Sequence, residues 1–509
     1  MDGGLLQLIP YPNEVIRKDG WCKCWDHVQI QKEKRQGNPE GYCLDIQEDG
    51  IRLTGTPAGI FYGKQALRQL EDQFGGELPC MQITDAPRFS YRGFMLDSSR
   101  HFLQKEEIKR LLDAAALLKL NKFHWHLVDD QGWRIEIRKY PKLTEIGARR
   151  GRAVFTRIPE PEETHEFLTQ DDIREIVAYA ANRFIDVVPE LEIPGHESAL
   201  LAAYPEYSCE GTDPEEQRVQ ITGGIFKEIL CAGNEKTVSF LKDILDEYMD
   251  LFPYSYLHLG GDEAVKAHWR SCPKCQRKMK ELGLPDENAL QQWLVRTMAD
   301  YLEQKGRHAV VWNDVLRGEK LSPKVAVQVW LGDKDLIEEF TSRGGRIVQS
   351  TTDYCYLDYA YSDIDVKKLL SFDPVPDYLK DQEKQVWGME CPLWTERVTD
   401  LTRAAFQLFP RLPAMAENAW SRKPSGVDGG YCPDSKWYES FCRRYENVRR
   451  ELDELGLKGA PEKYWNMTPE DAARERKELE NLLDTPFLQR FRKEEEALLA
   501  SEREVYGRF

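Results

Sequence analysis

Two short segments near the start of the chain alternate apolar and polar residues, which is typical of a β-hairpin. The alternation covers residues 42–46, is interrupted by the turn Asp49-Gly50, and resumes over residues 51–53. A helical pattern then extends from Pro57 to about Leu70. Residues 1–88 are therefore predicted to form a small N-terminal α/β domain.

The pattern then changes to strands that alternate with helices, from about Phe89 to Trp420. Helix signals separate the strands: Thr169 and Asp172 have capping-box spacing, and Gly306 closes a helical pattern. Eight candidate strands begin near Gly93, Lys122, Asp186, Tyr256, Ala309, Val325, Arg346 and Gln385. Repeated βα units predict a (β/α)8 TIM barrel over residues 89–425, with its active site at the C-terminal strand ends.

The last part of the chain, residues 426–509, is charged and has a helical pattern. An apolar seam at helical spacing runs from Phe441 to Leu455. Thr468-Pro469 and Thr485-Pro486 each place a capping residue before a proline, as at helix starts. We expect a helical C-terminal region, whose role the sequence does not indicate.

Composition and charge narrow the range of partners and compartments. A formal net charge of −17 argues against nucleic acid and anionic membrane surfaces, and no apolar run is long enough to span a membrane. The start Met1-Asp2-Gly3-Gly4 does not resemble a signal peptide, and the 12 cysteines are scattered. We expect a cytoplasmic protein, with export after signal removal as the alternative. The oligomeric state is not indicated.

The fourth predicted barrel strand ends in two adjacent carboxylates, Asp262 and Glu263. Gly260 and Gly261 precede them and allow the backbone to bend, so that both side chains can reach one pocket. Two carboxyls in different surroundings can divide into a proton donor and a charged stabiliser. The alternative interpretation is that Asp262 caps the next helix.

Polar residues also cluster where the first three predicted strands end. Strand one ends in residues 97–101, strand two continues to Asp130, and strand three ends at Glu190 to His196. A single polar residue at a strand end is usually solvated or caps a helix. Clusters at four successive strand ends of one predicted barrel favour a functional site instead.

Aromatic residues follow the later strands. Trp312, Trp330, Tyr356 and Trp394 each lie at or near a predicted strand end, and Asp358 and Glu396 follow two of them closely. Any one of these rings could be core. Together they are typical of a site that packs aromatic faces against sugar rings and binds hydroxyls with a few polar groups.

Two motifs could suggest a metal. Cys272-Pro273-Lys274-Cys275 has zinc-knuckle spacing, but no second such pair follows it, so we interpret these residues as reduced surface thiols. His124-Trp125-His126 resembles the paired histidines of barrel metal hydrolases, but later strands offer no matching ligands. We interpret both histidines as core or supporting residues and predict no metal and no cofactor.

The strand-end motifs resemble those of family 20 glycoside hydrolases, the β-N-acetylhexosaminidases. The order and spacing are similar across the barrel, and His-Leu-Gly-Gly-Asp-Glu is a specific signature. The N-terminal part is similar to the small domain that precedes the barrel in this family. The motifs are Asp97 to His101, His124 to Trp133, Pro194-Gly195-His196, His258 to Glu263, and Trp394-Thr395-Glu396.

This resemblance implies catalytic roles for five residues. Glu263 would protonate the glycosidic oxygen and then activate water, and Asp262 would hold the N–H of the substrate's 2-acetamido group. Tyr356 would donate to the acetamide carbonyl, while Asp129 and His196 would form a pair that supports Glu263. The assignment of Asp129 rather than its neighbour Asp130 rests on the alignment of this motif.

The resemblance also implies the residues that bind sugar and the reaction. Three tryptophans would pack around the acetamide and the sugar ring: Trp312, Trp330 and Trp394. The sugar hydroxyls would be bound by Arg100, Asp358 and Glu396. The expected reaction is retaining, exo-acting removal of terminal β-linked GlcNAc or GalNAc from glycans, with the acetamide as nucleophile and an oxazolinium intermediate.

Other functions remain open from the sequence. A relative within the family could release a disaccharide or a sulfated GlcNAc, because such enzymes differ in the loops that line the pocket. A non-catalytic sugar-binding protein on the same fold is disfavoured by the presence of both Asp262 and Glu263, and a metal hydrolase is disfavoured by the missing ligands.

Overall fold

The computed structural model describes residues 6–23, 27–33, 38–158, 160, 162–318, 320–421 and 435–506. The predicted boundary between residues 425 and 426 lies outside these ranges. Within them, no helix is both long and apolar enough to cross a membrane.

The N-terminal domain is a five-stranded sheet with one helix against it. The predicted hairpin is confirmed: the third and fourth strands pair antiparallel, with Leu44 opposite Leu53. The helix α1, Pro57–Phe74, begins where the Thr56 side chain accepts from the Gly59 amide. The strands, in spatial order β1-β5-β3-β4-β2, are β1 Glu14–Cys22, β2 Val28–Lys32, β3 Tyr42–Gln47, β4 Gly50–Gly55 and β5 Leu78–Asp85.

A closed parallel barrel follows, so the predicted (β/α)8 fold is confirmed. Its strands are almost entirely buried, as expected for strands covered on both faces. All eight begin within two residues of the predicted positions. They are β6 Tyr91–Asp97, β7 Lys122–His126, β12 Asp186–Glu190, β13 Tyr256–His258, β14 His308–Trp312, β15 Ala326–Val329, β16 Ile347–Gln349 and β17 Val386–Leu393.

Four short strands in the intervening loops form two small ribbons: β8 Val128–Asp129 with β9 Gly132–Trp133, and β10 Arg149–Gly151 with β11 Glu163–His165. The predicted capping box at Thr169 is present, and Gly306 has a positive φ just beyond the helix that begins at Glu287. The helices of the barrel region are α2 Lys105–Leu117, α3 Lys142–Glu145, α4 Gln170–Ala181, α5 Ser198–Ala203, α6 Glu235–Leu251, α7 Ala267–Ser271, α8 Pro273–Leu282, α9 Glu287–Gln304, α10 Lys334–Ser342, α11 Val366–Leu370, α12 Leu401–Leu408 and α13 Arg411–Trp420.

Three helices close the described chain: α14 Ser435–Glu454, α15 Pro469–Leu483 and α16 Pro486–Tyr506. The predicted seam is buried from Phe441 to Leu452, and Leu455, just beyond the end of α14, is partly buried. Arg444 donates to the Leu8 carbonyl at 2.7 Å, which ties this helix to the N-terminal segment. The helix α16 crosses the C-terminal face of the barrel. There Glu495 accepts from the Ile225 amide at 2.8 Å and Glu502 accepts from the Lys266 amide at 3.2 Å.

The cysteines of the Cys-x-x-Cys motif are not on the surface. Cys272 and Cys275 are fully buried, so the interpretation of them as surface thiols is wrong. The physical reason is a second loop that packs over them: Gly233 lies so close that a Cβ on it would be 2.2 Å from the Lys274 carbonyl carbon. That loop also brings Cys209 and Cys231 to the motif.

Candidate active site

A cavity of about 390 Å³ opens at the C-terminal ends of the barrel strands. Nine of the eleven predicted site residues line it, and the other two, Asp129 and Trp312, lie directly behind its wall. The nine are Arg100, His196, Asp262, Glu263, Trp330, Tyr356, Asp358, Trp394 and Glu396.

The turn after β13 directs both carboxylates into this cavity. Gly260 and Gly261 have φ values of 60° and 100°, as the sequence predicts for a bend at this point. Gly260 also lies against a carboxylate, because a Cβ there would be 1.2 Å from Glu192 Oε1. Glu263 itself has a φ of 46°, a rare conformation for a residue with a side chain, which the surrounding packing must hold in place.

Asp262 presents a free acceptor to the cavity. Its Oδ1 is buried and accepts no hydrogen bond from any residue that the structure describes, while its Oδ2 lies 3.8 Å from His196 Nε2. Burial raises the pKa of Asp262 to about 7; the cationic His196 opposes this rise, and Glu263 and Asp314 add to it. An acceptor without a partner at this place suits a substrate N–H donor.

His196 lies between Glu263 and the carboxylates of strand two. Its Nε2 is 3.5 Å from Glu263 Oε2, and its Nδ1 is 3.3 Å from Asp129 Oδ1 and 3.2 Å from Asp130 Oδ2. Asp130 also accepts from the Ser198 amide at 2.9 Å. Both aspartates therefore contact the imidazole, and the geometry supports a shared role rather than Asp129 alone.

Arg100 is held rigidly at the end of β6. Its guanidinium contacts Asp97 at 3.1 Å, Asp129 at 2.7 Å and the Gln131 side-chain oxygen at 2.7 Å. Glu396 Oε1 lies 3.9 Å from Arg100 Nη1 on the cavity side. An arginine fixed in this way offers its remaining donors in a defined direction, which suits recognition of vicinal hydroxyls.

Aromatic rings form the cavity's apolar surface. Trp330 and Tyr356 stack with centroids 6.4 Å apart and an interplanar angle of 24°, and the Trp330 Nε1–H donates to Asp314 at 2.6 Å. The Arg100 guanidinium carbon lies over the Trp394 ring, 5.1 Å from the centroid of that ring. Trp312 lies deeper, 6.3 Å from Trp394, so its predicted contact with the acetamide stays a prediction.

Asp358 supplies a second acceptor without a partner. Its Oδ1 is buried and receives no hydrogen bond within the described part of the chain. Burial raises its pKa to about 7, the nearby Glu396 charge adds to the rise, and Arg397 opposes it. Together with Glu396, this side chain can accept hydrogen bonds from sugar hydroxyls.

The paired histidines lie inside the barrel. His124 Nδ1 is 2.8 Å from Glu390, and His126 contacts Glu190 and lies 2.8 Å from Asp129. Both rings are buried and bound to carboxylates, as the interpretation of core or supporting residues expects.

Ten cavity residues were not predicted, and half of them come from the C-terminal helices. Leu483, Leu488, Phe491, Arg492 and Glu495 line the outer part of the cavity. The sequence places a helix start at Thr485-Pro486, but nothing in it indicates that this helix lies over the barrel. Other unpredicted lining residues are Phe155, Gly223, Gly224, Tyr359 and Arg397.

Comparisons with known proteins agree with this architecture. The family model "Glycosyl hydrolase family 20, catalytic domain" matches residues 89–423, and "Glycosyl hydrolase family 20, domain 2" matches residues 25–86. Carboxylates, an arginine and aromatic rings at the C-terminal face of a barrel are consistent with a site for a polar ligand such as a sugar. The chain belongs to glycosyl hydrolase family 20 and is a glycoside hydrolase.

Its relatives carry consistent names. A β-hexosaminidase of Porphyromonas gingivalis is 37% identical over 440 residues, which are 82% of this chain and 54% of that protein, so the chain spans about half of that relative. A β-hexosaminidase of Akkermansia muciniphila is 33% identical over 462 residues, 87% of this chain and 88% of that protein. The crystal structure of a β-N-acetylhexosaminidase from Bacteroides fragilis has a TM-score of 0.74 at 30% identity, covering 89% of this chain and 97% of that one.

Proposed function

We propose that this protein is a retaining exo-β-N-acetylhexosaminidase that removes terminal β-linked GlcNAc or GalNAc by substrate-assisted catalysis. The observation that carries the proposal is the buried Asp262 Oδ1, which has no hydrogen-bond donor within the described residues and belongs to the cavity that Glu263 also lines. An acetamide N–H fits this acceptor. The names of the relatives support the same substrate class.

In the first half of the reaction, the acetamide carbonyl oxygen attacks the anomeric carbon as the glycosidic bond breaks. Glu263 gives its proton to the departing oxygen, and Asp262 accepts the acetamide N–H. Positive charge that develops on the acetamide nitrogen is then stabilised by the Asp262 carboxylate. Tyr356, buried near Asp262, can donate its hydroxyl hydrogen to the acetamide oxygen.

In the second half, water attacks the anomeric carbon of the oxazolinium and the bond to the acetamide oxygen breaks. Glu263 accepts the proton of this water and so regains its starting form. Two displacements at one carbon give net retention of configuration. His196 orients Glu263 through both steps, because its Nε2 lies 3.5 Å from the carboxyl group.

A panel of aryl β-glycosides tests the substrate class. The panel contains GlcNAc, GalNAc, 6-sulfo-GlcNAc and lacto-N-biose conjugates, and chromophore release is measured for each. We expect the two unmodified N-acetylhexosaminides to be turned over fastest, with a β-configured first product by NMR. Release only from the disaccharide or the sulfated sugar would assign a different specificity, and release from none would favour a sugar-binding protein.

A further inference from the structure

Four cysteine side chains from two loops meet at one buried point on the active-site side of the barrel. Cys209 and Cys231 lie between β12 and α6, whereas Cys272 and Cys275 lie at the junction of α7 and α8. The Sγ atoms are 3.8 Å apart for 209 and 275, 3.8 Å for 231 and 272, and 3.7 Å for 231 and 275. All four Sγ atoms lie within 4.8 Å of one another.

These distances match a tetrahedron of thiolates around one metal ion. A zinc–sulfur bond of about 2.3 Å in tetrahedral geometry separates neighbouring sulfurs by about 3.8 Å. A disulfide would need sulfurs at roughly 2.05 Å. We propose that a structural zinc ion is bound by Cys209, Cys231, Cys272 and Cys275. This proposal replaces the prediction from the sequence that the protein binds no metal.

The surroundings favour zinc in a closed, structural site. Four thiolates complete the coordination of the ion and leave no position for a substrate or water, unlike a catalytic zinc site. Soft thiolate ligands select zinc over the hard cations magnesium and calcium. The four residues are at most 5% exposed, so the ion would be shielded from solvent.

The protein already holds the two loops against each other around this point. The Trp269 Nε1–H donates to the Leu230 carbonyl at 2.9 Å, and Lys274 forms an ion pair with Glu210 at 3.1 Å. Gly233 allows its loop to touch the backbone of Lys274 and Cys275 directly. Such a preformed arrangement lowers the cost of assembling the four ligands.

The zinc site would join a loop that lines the cavity to the segment that follows Glu263. The first loop carries Gly223 and Gly224, which line the cavity, and in the second segment Cys272 lies nine residues after Glu263. A metal cross-link between them would fix the Glu263 turn relative to that loop. The ion would take no part in the chemical steps, so this inference stands independently of the proposed function.

Metal analysis of the full chain tests the proposal directly. The protein is purified without metal-affinity resin and its zinc is measured by mass spectrometry, with about one zinc per chain expected. Cys231→Ser and Cys275→Ser should each lose most of this zinc. Cys80→Ala is the matched control, because Cys80 is also a buried cysteine but lies in β5 of the small domain, and it should keep the metal.

Measurements on the unmodified chain keep the test decisive if the serine variants fail to fold. X-ray absorption should show four sulfur neighbours at about 2.3 Å from zinc, and cobalt exchanged into the site should give the charge-transfer bands of tetrahedral thiolate coordination. A folded chain that contains no zinc and takes up none would overturn the proposal. So would iron in place of zinc, or disulfides between these cysteines in the peptide map.

Discussion

The Nε2 atom of His196 lies 3.5 Å from Oε2 of Glu263, and the other ring nitrogen, Nδ1, contacts Asp129 and Asp130. Burial lowers the pKa of His196, but the charge of Asp129 and hydrogen bonds to the neighbouring carboxylates outweigh burial and raise it well above the ordinary value. This shift favours the protonated imidazole, whose Nε2–H points toward the Glu263 carboxyl group at 3.5 Å. This arrangement positions the proposed acid–base group without adding a second nucleophile.

Glu263→Gln should keep the fold and remove most of the activity. A positioned acid–base group contributes roughly 10²–10⁴-fold in rate, and the amide cannot donate or accept the transferred proton. The loss should be smaller for an aryl glycoside with a very good leaving group, which needs little protonation. Steady-state kinetics on a glycan and on such an aryl glycoside check this, and near wild-type turnover of the glycan would place the acid elsewhere.

Asp262→Asn should make the protein more stable at high pH while it lowers activity. The pKa of Asp262 in the folded protein is raised to about 7 from an ordinary 3.8. Above pH 7 the buried carboxyl is ionised and the folded state carries the full penalty, whereas below about pH 4 it is protonated in both states and the penalty is absent. The asparagine removes a penalty of at most about 4 kcal/mol. Melting temperatures should therefore differ at pH 8 and converge at pH 4.

Asp171→Asn is the control for this comparison, because the Asp171 side chain is 88% exposed and should show no pH-dependent difference. Equal melting temperatures of Asp262→Asn and wild type at both pH values would contradict the burial argument. If Asp262→Asn loses activity but is not more stable at pH 8, Asp262 acts in catalysis and its burial carries no stability penalty.

The barrel and the carboxylate pair could be predicted because each depends on a local pattern. An apolar run that ends in His258 to Glu263 marks a strand and its C-terminal end within one short segment. Since parallel strands of a closed barrel all end at one face, the polar residues of separate segments could be placed together. The same reasoning predicts that Arg100, Asp358 and Glu396 lie at this face, and all three line the cavity.

Features that depend on long-range packing could not be predicted in this way. Cys209 and Cys231 precede the Cys-x-x-Cys motif and belong to a different loop, so spacing alone did not pair them. Likewise, the pattern of α16 marks a helix but not the surface it covers. The depth of Trp312 behind the cavity wall depends on its bond to Glu190, which no local pattern reveals.

Arg100→Lys should weaken both catalysis and stability. The guanidinium binds Asp97, Asp129 and Gln131 inside the protein. Lysine keeps the charge and loses the fork geometry. Each lost charged hydrogen bond costs about 1.5–3 kcal/mol, so we expect roughly a 10-fold or larger fall in kcat/KM and a lower melting temperature.

Arg92→Lys is a matched control for Arg100. Arg92 is also a buried arginine, paired with Glu40 at 2.7 Å, but it lies at the contact with the small domain and far from the cavity. The Arg92→Lys variant should have a lower melting temperature and an almost unchanged kcat/KM. Unchanged kinetics in Arg100→Lys with the same thermal loss would assign Arg100 to structure alone.

Phe491→Ala should weaken binding of the part of the glycan beyond the cleaved bond. Phe491 lies on α16 at the cavity and packs near Phe226, with ring centroids 5.7 Å apart. An aromatic contact of this kind contributes about 0.5–1.5 kcal/mol, so KM for chitobiose should rise roughly 2- to 10-fold. A glycosyl azide of GlcNAc, whose leaving group is small, should be much less affected.

The control is Phe487→Ala on the same helix, because Phe487 is 40% exposed and should leave both substrates unchanged. Equal effects of Phe491→Ala on chitobiose and on the azide would show that this ring contacts the cleaved sugar instead, or that it holds α16 in place.

A β-glucoside should be essentially inert if the substrate's own acetamide is the nucleophile. The glucoside carries a hydroxyl at that carbon, and Asp262 and Glu263 both already have roles in the proposed reaction. Binding should survive, because Arg100, Trp394 and Glu396 line the cavity and in the proposed function would contact other parts of the ring. A cyclic thiazoline analogue of the intermediate should in turn inhibit strongly, as ligands that resemble the transition state do.

The measurement compares kcat/KM for matched aryl β-glucoside and β-N-acetylglucosaminide. Similar values, or a glycosyl ester trapped on a protein carboxylate, would replace substrate assistance with an ordinary two-carboxylate mechanism.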